Sequence, residues 1–377
     1  MSRQKGILAE AFALSIVGAA FFNILPLYLG AAQDHFSLSI TQTGYIGSTF
    51  FVGYTIATCL AYFWMPHVDW RKMTVFTLTL GSLAMVFTSL ASSYNGLLFA
   101  IFIAGGSYAT LYGVGTAMIG GLPNETRNFG WKIALEAIFG GALLVSLPIL
   151  VLPHFGFAGL GIALLCIGVL ALPFFRFMPS QAAEKTHLLA ATQSVGGTSV
   201  WMLLVALVLF FSGETIAWSF VERVGDHHGY EAADIGTVLA VSLGFAVAGS
   251  LSEAYGAARI GHVLSLLIAG VTFFMALFCF YNLGTTTFTL FAVGACLANF
   301  SIGFGLPALV AICAHYDVTG KLVVLTVPAI GIGAVLGPAL AGFAAQSGGF
   351  ASMLILAGFI VGAAISLAIL AIQQNRK

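Results

Sequence analysis

Residues 177–198 read FMPSQAAEKTHLLAATQSVGGT, the longest polar connection in a chain of 377 residues. Everything around it is greasy: 60% of the residues are hydrophobic, 7% are charged, and mean hydropathy is +1.04. A soluble domain carries about 25% charged residues, so the solvent for most of this surface must be lipid. A crossing takes about 20 apolar residues. Counted outward from 177–198, that gives six runs before it (7–30, 42–66, 73–92, 96–121, 130–152, 158–176) and six after it (199–221, 233–254, 262–282, 287–313, 321–345, 350–373). The predicted fold is all-α, a polytopic membrane protein of twelve transmembrane helices. Residues 1–176 form one six-helix bundle, 177–198 a cytoplasmic linker, and 199–377 a second bundle.

The charges orient this arrangement. With the N-terminus in the cytoplasm, Arg3, Lys5, Arg71, Lys72, Arg127, Lys132, Arg176, Lys185, Arg259, Lys321, Arg376 and Lys377 face inward, and of the 13 Lys and Arg only Arg223 faces out. Retention of Lys and Arg on the cytoplasmic side is the known orienting signal. A multi-pass protein of the cell (inner) membrane follows, with both termini cytoplasmic. The sequon Asn124-Glu-Thr126 then lies inside and stays unmodified. The first apolar run is too long for a signal-peptide core and reads as a retained span.

Composition also excludes partners. Net charge is zero, which argues against nucleic acid. The five cysteines lie in apolar runs without metal-ligand spacing and read as small core residues. No cofactor or metal is expected. The eight histidines fall in loops or at helix ends, so any proton coupling rests on carboxylates. The pair His227-His228 lies in the polar outer segment 222–231; it reads as part of a solvated loop, with a metal site as the lesser alternative. No G-x-x-x-x-G-K-[ST] loop occurs, so energy must come from a gradient. No H-E-x-x-H motif occurs and the carboxylates are scattered, which argues against an intramembrane enzyme. A channel would need a ring of symmetric subunits, whereas an internally duplicated chain suffices as a monomer.

An offset of 190 residues pairs Gly113 with Gly303, Gly115 with Gly305, Gly130 with Gly320, Gly141 with Gly331 and Pro148 with Pro338. Duplicated six-helix halves form pseudo-symmetric bundles with a substrate site between them near the midplane. The segment Gly249-Ser-Leu-Ser-Glu253-Ala-Tyr-Gly256-Ala-Ala-Arg259 is similar to the loop signature G-x-L-x-D-x-x-G-x-x-R of the major facilitator superfamily, with Glu253 in place of Asp. The chain resembles that family over nearly its whole length. The matching first-half loop, Met65-Pro-His67-Val-Asp69-Trp-Arg71-Lys72, keeps the basic pair but has His67 at the acid's position and Trp70 at the glycine's. Gly333-Ala-Val-Leu-Gly337-Pro338 is similar to the family's G-x-x-x-G-P, a motif that marks exporters when it lies in span five. Span five here has only Gly140-Gly141 and Pro148.

The resemblance implies secondary active transport by rocking of the two halves. It assigns gating to Asp69, Arg71, Lys72, Glu253, Gly256 and Arg259 at the inner loops and to Gly333, Gly337 and Pro338 in span eleven. Those glycines read equally as packing positions. Polar or aromatic residues at mid-depth in the helices that line the family's cavity are Asn23, Tyr54, Tyr108, Tyr112, Trp218 and Asn299.

Charge within the bilayer is costly and marks function by default. Glu214, in Phe210-Phe-Ser-Gly-Glu214-Thr-Ile-Ala-Trp218, lies deepest. The spacing Phe211, Glu214, Trp218, Glu222 places two acids and two aromatics on one helix face. Glu214 can carry a proton, pair with a cationic substrate, or serve packing alone through a hydrogen bond to a neighbouring helix. Glu10 lies about one turn from the inner end of span one, in reach of interfacial water or Lys5. Glu136 stands four residues after Lys132, where helical side chains meet; a structural pair or a part in coupling both fit. No Lys or Arg is expected at mid-span, which argues against small multivalent anions. The expected partners are a small-molecule substrate, a coupling ion (H+) and lipid. The expected substrate is neutral or cationic and partly aromatic, with a lean to efflux. The alternative is an uptake permease or passive facilitator for a small metabolite such as a monocarboxylate.

Overall fold

The computed structural model describes residues 3–65, 67–91, 93–122, 125–173, 178, 198–284, 287–316 and 321–374. Most of the linker 177–198 (with Lys185), together with Arg176, Asn124 of the sequon, Gly320, Arg376 and Lys377, lies outside them. The described residues fold into helices α1 (Arg3–Phe36), α2 (Ile40–Trp64), α3 (Trp70–Leu90), α4 (Tyr94–Gly120), α5 (Glu125–Ser146), α6 (Leu152–Ala171), α7 (Thr198–His227), α8 (Ala232–Ile260), α9 (His262–Tyr281), α10 (Phe288–His315) and α11 (Lys321–Gln374). Ten stretches among the described residues are long and apolar enough to cross a membrane.

Helix ends are set by local chemistry. The Asp69 carboxylate accepts from the main-chain N–H of Arg71 at 2.9 Å and of Lys72 at 3.2 Å and so starts α3. Ser93 starts α4 by accepting from Gly96 N–H at 3.2 Å. Such caps supply partners for N–H groups that the first turn leaves open. Between α5 and α6 the chain makes one π-turn, Leu147–Val151, where Pro148 contributes no N–H.

Two of the ten stretches contain a break. The 54 residues of α11 would extend about 80 Å as one rod at 1.5 Å per residue, against a hydrocarbon core of about 30 Å. Gly349 has φ 72°, ψ −179°, a conformation that a residue with a Cβ rarely adopts, and it separates 321–347 from 350–374. Gly156, at φ 57°, ψ −155°, breaks the chain at the start of α6 in the same way.

The chain divides into two compact units: residues 1–36 with 49–188, and residues 37–48 with 189–377. In the first, α1 packs on α4, α5 and α6, and α3 packs on α4 and α6. A Cβ on Gly53 would strike the Phe102 carbonyl of α4, and one on Gly105 would strike the Phe50 carbonyl of α2, so α2 and α4 cross backbone to backbone. Phe21, Ile24, Tyr28 and Phe50 fill the adjoining core, with the Phe21 and Phe50 rings stacked at 4.1 Å.

In the second unit α7 packs on α11 and α10, α8 on α10, and α9 on α10 and α11. The same reciprocal crossing recurs: Gly249 of α8 faces the Phe300 carbonyl and Gly303 of α10 faces the Ala246 carbonyl. The start of α2 belongs to this unit. Its Gly44 lies against Pro338 and Gly342, Ile40 N–H donates to Gln346 Oε1 at 3.2 Å, and Thr41 Oγ1 donates to the Gly342 carbonyl at 3.3 Å. Both units turn large apolar side chains outward, Phe99 and Leu170 in one, Phe278 and Phe359 in the other. That is the surface of a protein solvated by lipid.

Two expectations are corrected. The 190-residue register fails at the crossing: nothing lies within 4 Å of a Cβ on Gly113, and the packing counterpart of Gly303 is Gly105, 198 positions away, as Gly249 is of Gly53, 196 away. Glycine is too common here for its strings to fix register; what fixes it is which carbonyl each glycine crosses. Segment 222–231 is loop only from His228 onward, because α7 runs on to His227. Along α7, residues 210–222 are all buried, so burial does not single out the face that holds Phe211, Glu214, Trp218 and Glu222.

Candidate functional site

The candidate residues gather into two clusters, one in each unit. The first is built on α1, α2, α4 and α5. Asn23 Nδ2 donates to the Glu136 main-chain oxygen at 3.2 Å. Its side chain occupies the space that Gly140 leaves open, since a Cβ there would lie 2.7 Å from Asn23 Cγ. Lys132 and Glu136 form the ion pair their spacing predicts, Nζ to Oε1 at 2.9 Å. The same ammonium sits 3.8 Å from the centre of the Tyr112 ring, whose face carries partial negative charge. Tyr54 lies 6.4 Å from Tyr112, and Phe50 bridges Tyr54 and Tyr108 at 6.1 and 6.2 Å between ring centres. The structure therefore brings Asn23, Tyr54, Tyr108, Tyr112 and Glu136 into one neighbourhood.

Lys132 is buried where an interfacial residue was expected. It is 4% exposed, two turns into α5 and within the span expected over 130–152. The available signal was Lys132 and Glu136 at i, i+4 in a run that is otherwise apolar; the cost of burying the ammonium is offset by the carboxylate and the ring together. Glu10, expected to reach interfacial water or Lys5, does neither. It is fully buried, both carboxyl oxygens lack a hydrogen-bond partner among the described residues, and Lys5 is exposed.

The second cluster is built on α7, α9 and α10. Glu214, 3% exposed near the middle of α7, is bonded to Ser301 of α10, whose Oγ lies 2.7 Å from Glu214 Oε1. Ser301 Oγ is also 2.9 Å from the Ala269 carbonyl of α9. Among the described residues Glu214 makes no ion pair. Trp218, one turn on, is 9% exposed. Ser301 is absent from the sequence-based candidates; its only mark is a hydroxyl at mid-depth in a glycine-rich helix. Asn299 does not join Glu214. Its amide donates to Ser242 Oγ on α8 at 3.0 Å and to the Ala295 carbonyl at 3.3 Å, which commits it to the α8–α10 contact.

The gating candidates do not come together as ion pairs among the described residues. Asp69 is spent capping α3, next to Arg71 and Lys72. Glu253 is 4% exposed while Arg259 is exposed, and a Cβ on Gly256 would meet open space. In α11, Gly333 lies against the Val208 carbonyl and Phe211, and Gly337 against Thr215, so both let α11 close on α7; the Pro338 carbonyl lies against Gly44.

No curated protein matches the sequence. Among solved structures, that of the nucleoside transporter NupG superposes with a TM-score of 0.73 at 13% identity, covering 100% of both chains. A bacterial homologue of the iron transporter ferroportin, in an inward-facing state, gives 0.72 at 14% over 98% of each chain. A bacterial homologue of the human lysosomal transporter Spinster gives 0.66 at 15%, over 98% of this chain and 96% of that one. Identities this low establish the fold alone. The sequence itself matches the model of one family over residues 11–321. A chain built of membrane-length helices that carries this match belongs to the Major Facilitator Superfamily and is a transporter, not an enzyme.

Proposed function

We propose that this protein is a proton-coupled secondary transporter working by alternating access, and that Glu214 carries the proton. The observation that carries the reading is a carboxyl buried to 3% exposure at the middle of α7, bonded to a neutral hydroxyl and unpaired with any cation among the described residues. Such a group is carried through lipid at low cost only with its proton on, and it can take up or release that proton as its surroundings change. The chain crosses the membrane twelve times, counting the breaks at Gly156 and Gly349 as turns between crossings, with bundles 1–176 and 199–377 and a cytoplasmic linker. Both ends lie in the cytoplasm of an inner-membrane protein that acts as a monomer.

The substrate is a small neutral or cationic, partly aromatic organic molecule, and the direction leans to efflux. Trp218 and the Tyr54, Tyr108, Tyr112 group supply aromatic surface; Asn23 and Asn299 hold the helices that carry it. Glu10 and Glu136 are secondary acids. The inner-loop residues Asp69, Arg71, Lys72, Glu253, Gly256 and Arg259 gate by shaping helix ends, and Gly333, Gly337 and Pro338 by keeping α11 close to its neighbours. A second reading is favoured by Lys132: a buried ammonium suits a monocarboxylate, imported or passively conducted. The solved neighbours transport chemically unrelated cargo, so the fold does not choose.

Purified protein in liposomes with an internal pH dye decides. A panel of organic cations, neutral aromatics and monocarboxylates is added to wild type and to Glu214→Gln. Proton flux evoked by a panel member and lost in the variant is the expected result. Substrate movement without protons, or an unchanged variant, removes Glu214 from the mechanism. If monocarboxylates alone move, the second reading holds.

A further inference from the structure

Ser301 touches two oxygens at once, Glu214 Oε1 at 2.7 Å and the Ala269 carbonyl at 2.9 Å, and so ties α10 to both α7 and α9. A hydroxyl has one hydrogen to give and two lone pairs with which to accept. The Ala269 carbonyl has no hydrogen. Both contacts are full hydrogen bonds only when the carboxyl brings one: Glu214 O–H donates to Ser301 Oγ, and Ser301 O–H donates to Ala269. When Glu214 releases its proton to water, the carboxylate becomes the stronger acceptor. Ser301 then turns its hydrogen to Glu214, and its bond to Ala269 is lost. Thr272 Oγ1 lies 2.9 Å from both the Ile268 and the Ala269 carbonyl, so it can swing to cover the vacated oxygen.

Among the described residues of this unit, no other charge takes part in this exchange. Over 325–374, α11 has no titratable side chain, and those of α10 are Cys296, Cys313 and the terminal His315. Asp234, Glu253 and Arg259 of α8 and His262 of α9 lie within about two turns of the ends of their helices, and on α7 itself Glu222 is bonded to Arg223 at 2.8 Å. We infer that Ser301 is a positioning residue that converts the loss of a proton from Glu214 into the loss of a hydrogen bond between α10 and α9. The inference rests on Glu214 being the proton carrier.

Infrared difference spectra taken while pH is raised test it in the full-length protein. The Glu214 carboxyl band is assigned by its absence in Glu214→Gln, and the Ala269 band, in protein labelled with carbonyl-13C alanine, by its absence in Ala269→Gly. The two bands are expected to change with one midpoint in wild type. In Ser301→Ala the carboxyl band moves to higher frequency, and the pH-linked change at Ala269 falls to about a tenth or less, one charge-assisted hydrogen bond being worth about tenfold or more in population. Ser301→Thr keeps both responses. An Ala269 band that stays fixed while the carboxyl band titrates, or that follows it equally in Ser301→Ala, overturns the inference and leaves Glu214 as the carrier. A carboxyl band that never titrates, with full proton flux in Glu214→Gln, overturns both.

Discussion

The two units share a skeleton and differ in the ionisable groups they gather at their candidate sites. Each contains a helix pair crossed through reciprocal glycines, Gly53 and Gly105 in the first, Gly249 and Gly303 in the second. Beside that crossing the first unit holds a full ion pair, Lys132 with Glu136, under a tyrosine ring. The second sets a lone acid there, Glu214, with a hydroxyl for a partner, while its own buried ion pair, Glu222 with Arg223, lies about two turns further along α7. A paired charge is fixed in place, because removing either member strands the other. A lone carboxyl can become neutral on its own, and that freedom is what a proton carrier needs.

The largest break in this comparison should come from Lys132→Ala, which leaves Glu136 buried and unpaired. Breaking such a pair costs about 3–5 kcal/mol, read as thermal stability in detergent, and Lys132→Ala with Glu136→Ala should recover part of it. A Lys132→Ala protein as stable as wild type would show that the pair is not holding α5. Next come Gly105→Ala and Gly303→Ala, which put a Cβ onto a facing carbonyl. Each should cost about 1–3 kcal/mol, and the two losses should match; tolerance at one site alone would break the equivalence of the crossings. Asn299→Ala removes the amide shared with Ser242 and should cost about 1 kcal/mol while leaving proton flux intact. A loss of flux in that variant would return Asn299 to the transport path. Glu214→Gln should have the smallest effect on stability, under about 1 kcal/mol, because an amide can donate to Ser301 as the protonated acid does. A large loss there would mean that an ionised Glu214 holds the second unit together.

Most of the helices were legible because lipid imposes a single rule on every crossing: a long apolar run with its backbone bonds satisfied internally. Glu214 was legible for the same reason, since one acid in such a run stands out. Ser301 was not legible, because a serine in a helix can satisfy its hydroxyl on its own backbone, as Ser212 and Ser219 do at 2.8 and 2.7 Å. The burial of Lys132 was not legible, because a residue near the start of a span reads as interfacial unless its neighbours are known.

Composition and hydropathy by themselves determined that this chain lives in a membrane as helices. Its loop signature, with Glu253, Gly256 and Arg259, pointed to the family. Only the tertiary structure decided which glycines are crossing points, that Asn299 bonds to Ser242, and that Glu214 and Ala269 meet at one hydroxyl. The reason is physical. Apolar periodicity is a property of one helix and survives in the sequence, whereas a hydrogen bond between helices depends on rotation and register that no single helix encodes.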